Sequence, residues 1–132
     1  MTRLFSWPVR VYYEDTDAGG VVYYANYLKF FERARTEWLR SFGLNQDKLA
    51  QKEGLIFVVR RASLDFVRPA RLDDMLEVTV EPLKLARVYV LQLAQEARRG
   101  AQVLARAEIQ VACLNLRDFK PVAIPQFLRD NL

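Results

Sequence analysis

The chain has 132 residues, 52% of them hydrophobic, with a net charge of +4 carried mostly by arginine, 15 Arg against 5 Lys; that length suits one domain with one core, so 1–132 is read as a single domain. It contains no histidine and one cysteine, Cys113, which excludes Ser-His-Asp and Cys-His catalysis, histidine-ligated zinc, an internal disulfide and any multi-cysteine metal site. No apolar run nears the ~20 residues of a membrane span and the first residues lack a signal-peptide pattern, so a soluble, cytoplasmic protein is expected.

Residues 7–13 alternate Val9, Val11 and Tyr13 with Arg10 and Tyr12, which predicts a strand. A loop over 14–23 leads into an amphipathic helix. Tyr24, Tyr27, Leu28, Phe31, Ala34, Trp38, Leu39 and Phe42 fall at the three-and-four spacing of one buried face. Asn26 stands where an N-cap belongs and Gly43 where a C′ residue belongs, so about 17 residues would form a rod of about 25 Å. Residues 45–54 predict a short second helix ended by Gly54.

From Leu55 onward the period becomes two. Residues 56–67 form a long β-branched and aromatic run closed by the turn material 68–74. Residues 75–81 set Leu76, Val78 and Val80 against Glu77, Thr79 and Glu81, one face buried and one wet. Residues 87–97 place Tyr89, Leu91 and Leu93 on one side, and Arg98-Arg99-Gly100 predicts a hairpin turn. In the following strand Val103, Ala105, Ala107, Ile109, Val111 and Cys113 oppose Leu104, Arg106, Glu108 and Gln110. Cys113 is read as a buried small hydrophobe rather than a reactive thiol. Residues 125–132 are at most a short terminal helix. The order predicts an antiparallel five-stranded α+β domain whose long helix covers one face, with dimerisation expected to protect the open edges.

Three carboxylates, Glu14, Asp15 and Asp17, lie between the first strand and the helix. Most loop acids are turn residues or solubilising charges, but Asp17 is followed by Ala18-Gly19-Gly20, which lets backbone approach a ligand, and then by a helix N-terminus. Such a terminus offers unpaired N–H groups and partial positive charge, enough to hold a developing oxyanion. A lone carboxylate without histidine has no general acid for an amine or alkoxide leaving group. A thiolate needs none, since thiol pKa values lie near ~8.5, so a thioester is the acyl substrate such a site handles best. Asp17 could attack the carbonyl or activate a water.

The stretch Val9-Arg10-Val11-Tyr12-Tyr13-Glu14-Asp15-Thr16-Asp17-Ala18-Gly19-Gly20-Val21-Val22-Tyr23, with 32–37, 57–60 and 69–74, resembles the YbgC acyl-CoA thioesterases associated with the Tol-Pal system. These are members of the 4-hydroxybenzoyl-CoA thioesterase branch of the hotdog superfamily. The resemblance spans nearly the whole chain. It implies the hotdog fold, a five-stranded antiparallel sheet wrapped around one long central helix, and active sites built across the interface of a homodimer or homotetramer. It implies that Asp17 is the catalytic carboxylate and that the Tyr24 N–H polarises the thioester carbonyl, with no metal or cofactor. Gly20, in the same loop, is expected to be a substrate-binding residue. By the same resemblance Val58, Val59 and Arg60 of the other subunit line the acyl or pantetheine channel, and Arg68 and Arg71 are candidates for the nucleotide phosphates. One departure is Tyr24, where YbgC-like sequences usually carry histidine; the hydroxybenzoyl-CoA enzymes have an aromatic residue there, as here.

Two functions are weighed from these residues. The first is an acyl-CoA thioesterase. The second is a non-catalytic acyl-thioester or acyl-carrier-protein binding scaffold for phospholipid-synthesis enzymes at the inner membrane face, which the basic charge suits because acyl carrier proteins are acidic. Nucleic acid is not an expected partner, because the cations are spread over the chain rather than concentrated in a patch.

Overall fold

The computed structural model describes residues 4–43 and 46–132. The first strand, β1 (Phe5–Arg10), leads through a 3-10 turn at Tyr13–Asp15 to the long helix α1 (Asn26–Arg40) and the short α2 (Gln46–Glu53). Four strands follow, β2 (Leu55–Phe66), β3 (Met75–Arg87), β4 (Val90–Arg99) and β5 (Gln102–Asn115), then the terminal turn of helix α3 (Gln126–Arg129). The five strands form one antiparallel sheet in the order β1-β3-β4-β5-β2.

The apolar stripe of α1 faces this sheet. Tyr27, Phe30, Phe31, Ala34 and Trp38 are buried against Leu76, Val78, Leu91, Leu93, Ile109 and Val111 in one continuous cluster, and Leu39 is buried as well. One buried polar side chain bolts the two layers together. Gln95 donates from Nε2 to the carbonyls of Phe31 (3.1 Å) and Thr79 (3.2 Å) and accepts from Arg35 Nη1 (2.9 Å). Burial lowers the pKa of the Arg35 guanidinium, against the opposing charge of Glu32. α1 packs mainly on β3, β1 and β4, which leaves a cavity of about 160 Å³ on its other side, walled by Arg35, Trp38, Phe57, Val59, Leu93 and Val111.

Several sequence expectations change in the fold. The first strand is shifted: Val9 and Val11 are buried, but the chain has left the sheet by Tyr13, which is 83% exposed. Asn26 is not the N-cap, since that position is Ala25 without a side-chain cap. Tyr24 and Leu28 stand exposed, while Phe30, outside the expected stripe, is fully buried. β3 runs on through Pro82 to Arg87, and Thr79 on its supposedly wet face is buried, its Oγ1 accepting the Glu96 N–H at 2.9 Å. Arg98 and Arg99 are paired with Val103 and Gln102, so the reversal falls at the next two residues. The register shift between Ala97 and Arg98 also turns Leu104 inward beside Ala105. α2 accords with the predicted second helix, although Asn45 lies outside the described residues. Cys113 is buried as expected, and burial pushes its thiol pKa up to about 11.

Candidate active site

After β1 the chain turns twice in quick succession, and both turns are held by backbone. Asp15 is only 5% exposed; its Oδ2 accepts the Tyr12 N–H at 2.8 Å and its carbonyl accepts the Tyr23 N–H at 3.0 Å and Asn26 Nδ2 at 2.8 Å. Asn26 therefore ties the start of α1 to the loop instead of capping the helix. This role for Asp15 was missed in the sequence, although the spacing from Tyr12 to Asp15 is that of a capping box and was its available signal.

The second turn carries Asp17. Thr16 and Val22 form an antiparallel bridge, the Asp17 N–H donates to Val21 O (2.9 Å) and the Gly20 N–H to Asp17 O (3.0 Å). Gly20 closes the turn at φ +79, a left-handed conformation that costs a side-chain-bearing residue ~1–2 kcal/mol. The Asp17 carboxylate accepts the Gly19 N–H at 2.8 Å through Oδ1, and a Cβ at Gly19 would come within 3.2 Å of that oxygen. The acid is thus oriented by an amide that a side chain at position 19 would crowd, while the residue itself stays exposed.

A few residues on, α1 begins. Among the described residues no acceptor is bonded to the N–H of Tyr24 or Ala25. Those two donors carry the partial positive charge of a helix N-terminus. The Tyr24 ring is 62% exposed and lies against Tyr23 and Phe66, at centroid distances of 4.9 and 6.0 Å.

The turn between β2 and β3 closes on the same loop. Val21 bridges Arg71, and the Val22 N–H donates to Ala70 O at 2.8 Å. The Ala70 N–H in turn donates to the Tyr27 hydroxyl at 3.2 Å, and burial raises the pKa of that phenol. Asp74 organises this turn: it accepts the Arg71 N–H at 2.8 Å and Arg99 Nη1 at 2.7 Å. Burial pushes the Asp74 carboxyl up, but the Arg71 amide and the Arg99 guanidinium outweigh it and hold the carboxyl below its ordinary value.

Of the residues singled out in the sequence, Asp17, Gly20, Tyr24 and Arg71 are therefore gathered at one end of α1. Arg68 follows β2 in the exposed start of the same turn, its N–H bonded to Leu104 O. Val58, Val59 and Arg60 are elsewhere within the chain. Phe66 touches Tyr24, and Arg60 lies six residues back along β2, roughly 20 Å at ~3.3 Å per residue. Arg60 sits at a bulge in β2 and donates from Nη1 to Gln110 Oε1 at 2.7 Å. Val59 lines the cavity beneath α1, and neither Asp17 nor Tyr24 does.

A long helix packed on a five-stranded antiparallel sheet, with a carboxylate turn at the amino end of the helix, is the architecture of hotdog proteins. The sequence profile of the thioesterase-like superfamily matches residues 11–132, and the chain belongs to that family. It is 48% identical to a Haemophilus influenzae protein named acyl-CoA thioesterase YbgC, over 92% of this chain and 89% of that one. Its fold is similar to that of a probable thioesterase from Bartonella henselae, with a TM-score of 0.87 at 38% identity, covering 92% of this chain and 99% of the other. A 1,4-dihydroxy-2-naphthoyl-CoA thioesterase from Synechocystis has the same TM-score at 29% identity, over 97% and 94% of the two chains.

Proposed function

We propose that this chain hydrolyses acyl-CoA thioesters at Asp17, with the free amides that open α1 receiving the carbonyl oxygen. The observation that carries the reading is the pairing of a carboxylate held by the Gly19 N–H with N–H groups at Tyr24 and Ala25 that have no acceptor among the described residues. The thioester carbonyl accepts from the Tyr24 amide, which stabilises the charge that grows on oxygen as the carbon becomes tetrahedral. Because that donor is backbone, a tyrosine side chain at position 24 serves as well as any other.

Two routes then lead to the same products. Asp17 attacks the carbonyl carbon, the C–S bond breaks, and water hydrolyses the resulting mixed anhydride; or Asp17 takes a proton from water as the water attacks. In both, the sulfur departs as the CoA thiolate and is protonated by solvent, so no general acid is required. Arg71 and Arg68, in the turn beside the loop, would meet the CoA phosphates.

The site is completed by a second copy of the chain. β2 is an edge strand of 12 residues with no proline and only β5 beside it, an open template for pairing. A two-fold axis at Ser63 would set Arg61 opposite Asp65 of the second copy, with both side chains on the face away from α1, as their pairing with Gln110 and Arg106 requires. The same register carries Val58, Val59 and Arg60 of the second copy to the neighbourhood of Phe66 and Tyr24, closing the exposed side of Asp17. A homotetramer would join two such dimers. Expected ties to acyl carrier protein, phospholipid-synthesis enzymes and the Tol-Pal system, and a peripheral place at the inner membrane, rest on the family resemblance alone.

The test is thiol release from short, long and aromatic acyl-CoAs by the wild type and by Asp17→Asn. Turnover that falls about a thousandfold in the variant, with acyl-CoA still bound, supports the reading. Wild-type binding without turnover, or an Asp17→Asn variant that turns over normally, overturns it.

A further inference from the structure

Arg35 sets a guanidinium against the apolar layer between α1 and the sheet. Its hydrogen bond from Nη1 to Gln95 Oε1, at 2.9 Å, is the only one its side chain makes among the described residues, and it belongs to none of their ion pairs. Glu32, one turn back along the helix, is exposed, and its Oε1 accepts the Thr36 hydroxyl at 3.0 Å. A guanidinium carries five N–H donors in a planar fork, so most of this one is unused. None of its nitrogens is both sealed from solvent and without a partner; the unused donors are reachable from the space that Arg35 lines.

That space is the cavity of about 160 Å³ beneath α1. Arg35 and Glu32 are the only charged residues on its walls, and the rest is Trp38, Phe57 and aliphatic side chains. An apolar cavity of ~150 Å³ holds one benzene, so a chain of roughly six carbons fits this one and a fatty acyl tail does not. A half-buried cation without a counter-ion weakens a fold. A neutral oxygen would satisfy one donor and leave the charge uncompensated, whereas the two oxygens of a carboxylate match the fork.

We propose that Arg35 selects the acyl group: the preferred substrates are short CoA thioesters of dicarboxylic acids, whose free carboxylate pairs with Arg35 of the second copy. This rests on the hydrolase reading. The paired β2 edges would bring Val59, on the cavity wall, to Phe66 and Tyr24 of the other copy. An acyl group held at one Asp17 then points into the cavity beneath the other α1, where the apolar walls take the methylenes between its two carboxyl carbons. Water adds at the thioester carbon, the C–S bond breaks, and a dicarboxylate and CoA are released.

Adipoyl-CoA and hexanoyl-CoA have acyl chains of equal length and differ by that one carboxylate, so their comparison is the test. Wild type should prefer adipoyl-CoA in kcat/KM by roughly ten- to hundredfold, the range set by hydrogen bonds to a charged group, with the difference in KM. Arg35→Met keeps the stem and drops the charge; it should abolish the preference by raising KM for adipoyl-CoA, and Arg35→Lys should restore part of it. Arg35→Met also loses the bond to Gln95, so a purely structural arginine would slow both substrates alike and leave their ratio at the wild-type value. That result overturns the proposal. Binding of free adipate, followed by ligand-observed NMR, needs no turnover and should be lost in Arg35→Met; equal binding by the two proteins also overturns it. Wild type that hydrolyses hexanoyl-CoA as well as adipoyl-CoA removes the carboxylate pocket and leaves the hydrolase. Adipate bound through Arg35 with neither thioester hydrolysed removes the hydrolase and leaves the pocket.

Discussion

The helix–sheet core and the loop from Tyr12 to Tyr24 use aromatic side chains in opposite ways. In the core Phe30 and Phe31 are fully buried and Tyr27 nearly so; in the loop Tyr12, Tyr13, Tyr23 and Tyr24 all stand exposed. The core is held by apolar area, worth roughly 25 cal/mol per Å², whereas the loop is held by backbone hydrogen bonds to Asp15, Asp17, Val21 and Ala70. Packing therefore fixes the shape of the molecule, and a small set of polar contacts fixes the position of one carboxylate. Stability and activity should separate along that line.

The widest separation is expected between Phe31→Ala and Asp17→Asn. Phe31→Ala should cost about 3–5 kcal/mol of unfolding free energy, read from a urea midpoint. Asp17→Asn should leave that midpoint within about 0.5 kcal/mol while thiol release falls about a thousandfold. A large stability loss in Asp17→Asn would erase the contrast. Next comes Gln95→Leu. It takes the acceptor from the half-buried Arg35 guanidinium and a donor from the Phe31 and Thr79 carbonyls, at a cost of about 2–3 kcal/mol, and a midpoint unchanged by it would mean that the layers are not bolted there.

The core also holds a thiol whose ionisation is opposed by burial. Cys113 is fully buried and its thiol pKa is raised from 9.0 to about 11. The unfolded chain loses this proton first, so the buried thiol's contribution is whole below pH ~9 and declines as pH rises toward ~11, by about 3 kcal/mol. Unfolding midpoints across that window should fall less steeply in Cys113→Ala. The smallest effect belongs to the loop: Gly20→Ala, at φ +79, should lose about 1 kcal/mol. It should lower kcat more than its stability cost explains, because the Asp17 turn closes there.

Much of the candidate site could be read before the fold was in hand. Asp17 was legible because a carboxylate, two glycines and a helix start follow one another along the chain, and chain neighbours remain neighbours. Arg71 came within reach only through its bridge to Val21. Val58, Val59 and Arg60 could not be placed beside Asp17 from one chain, because they lie six or more residues back along β2 from Phe66, the β2 residue that touches Tyr24. Asp15 looked like any loop acid; the amides that surround it come from Tyr12 and, through its carbonyl, from Tyr23.

Periodicity alone settled that four strands follow one long helix, since the alternation of side chains along a strand and around a helix is a local property of the backbone. The absence of histidine likewise confined the chemistry without reference to any coordinates. Which residues on those faces are dry was decided only by the fold. Leu104 turns inward because a register shift displaces it, Thr79 is sealed by Glu96, and Tyr24 and Leu28 stay exposed at the start of α1. Burial depends on what lies opposite a side chain, and the partner across a sheet is chosen by tertiary structure.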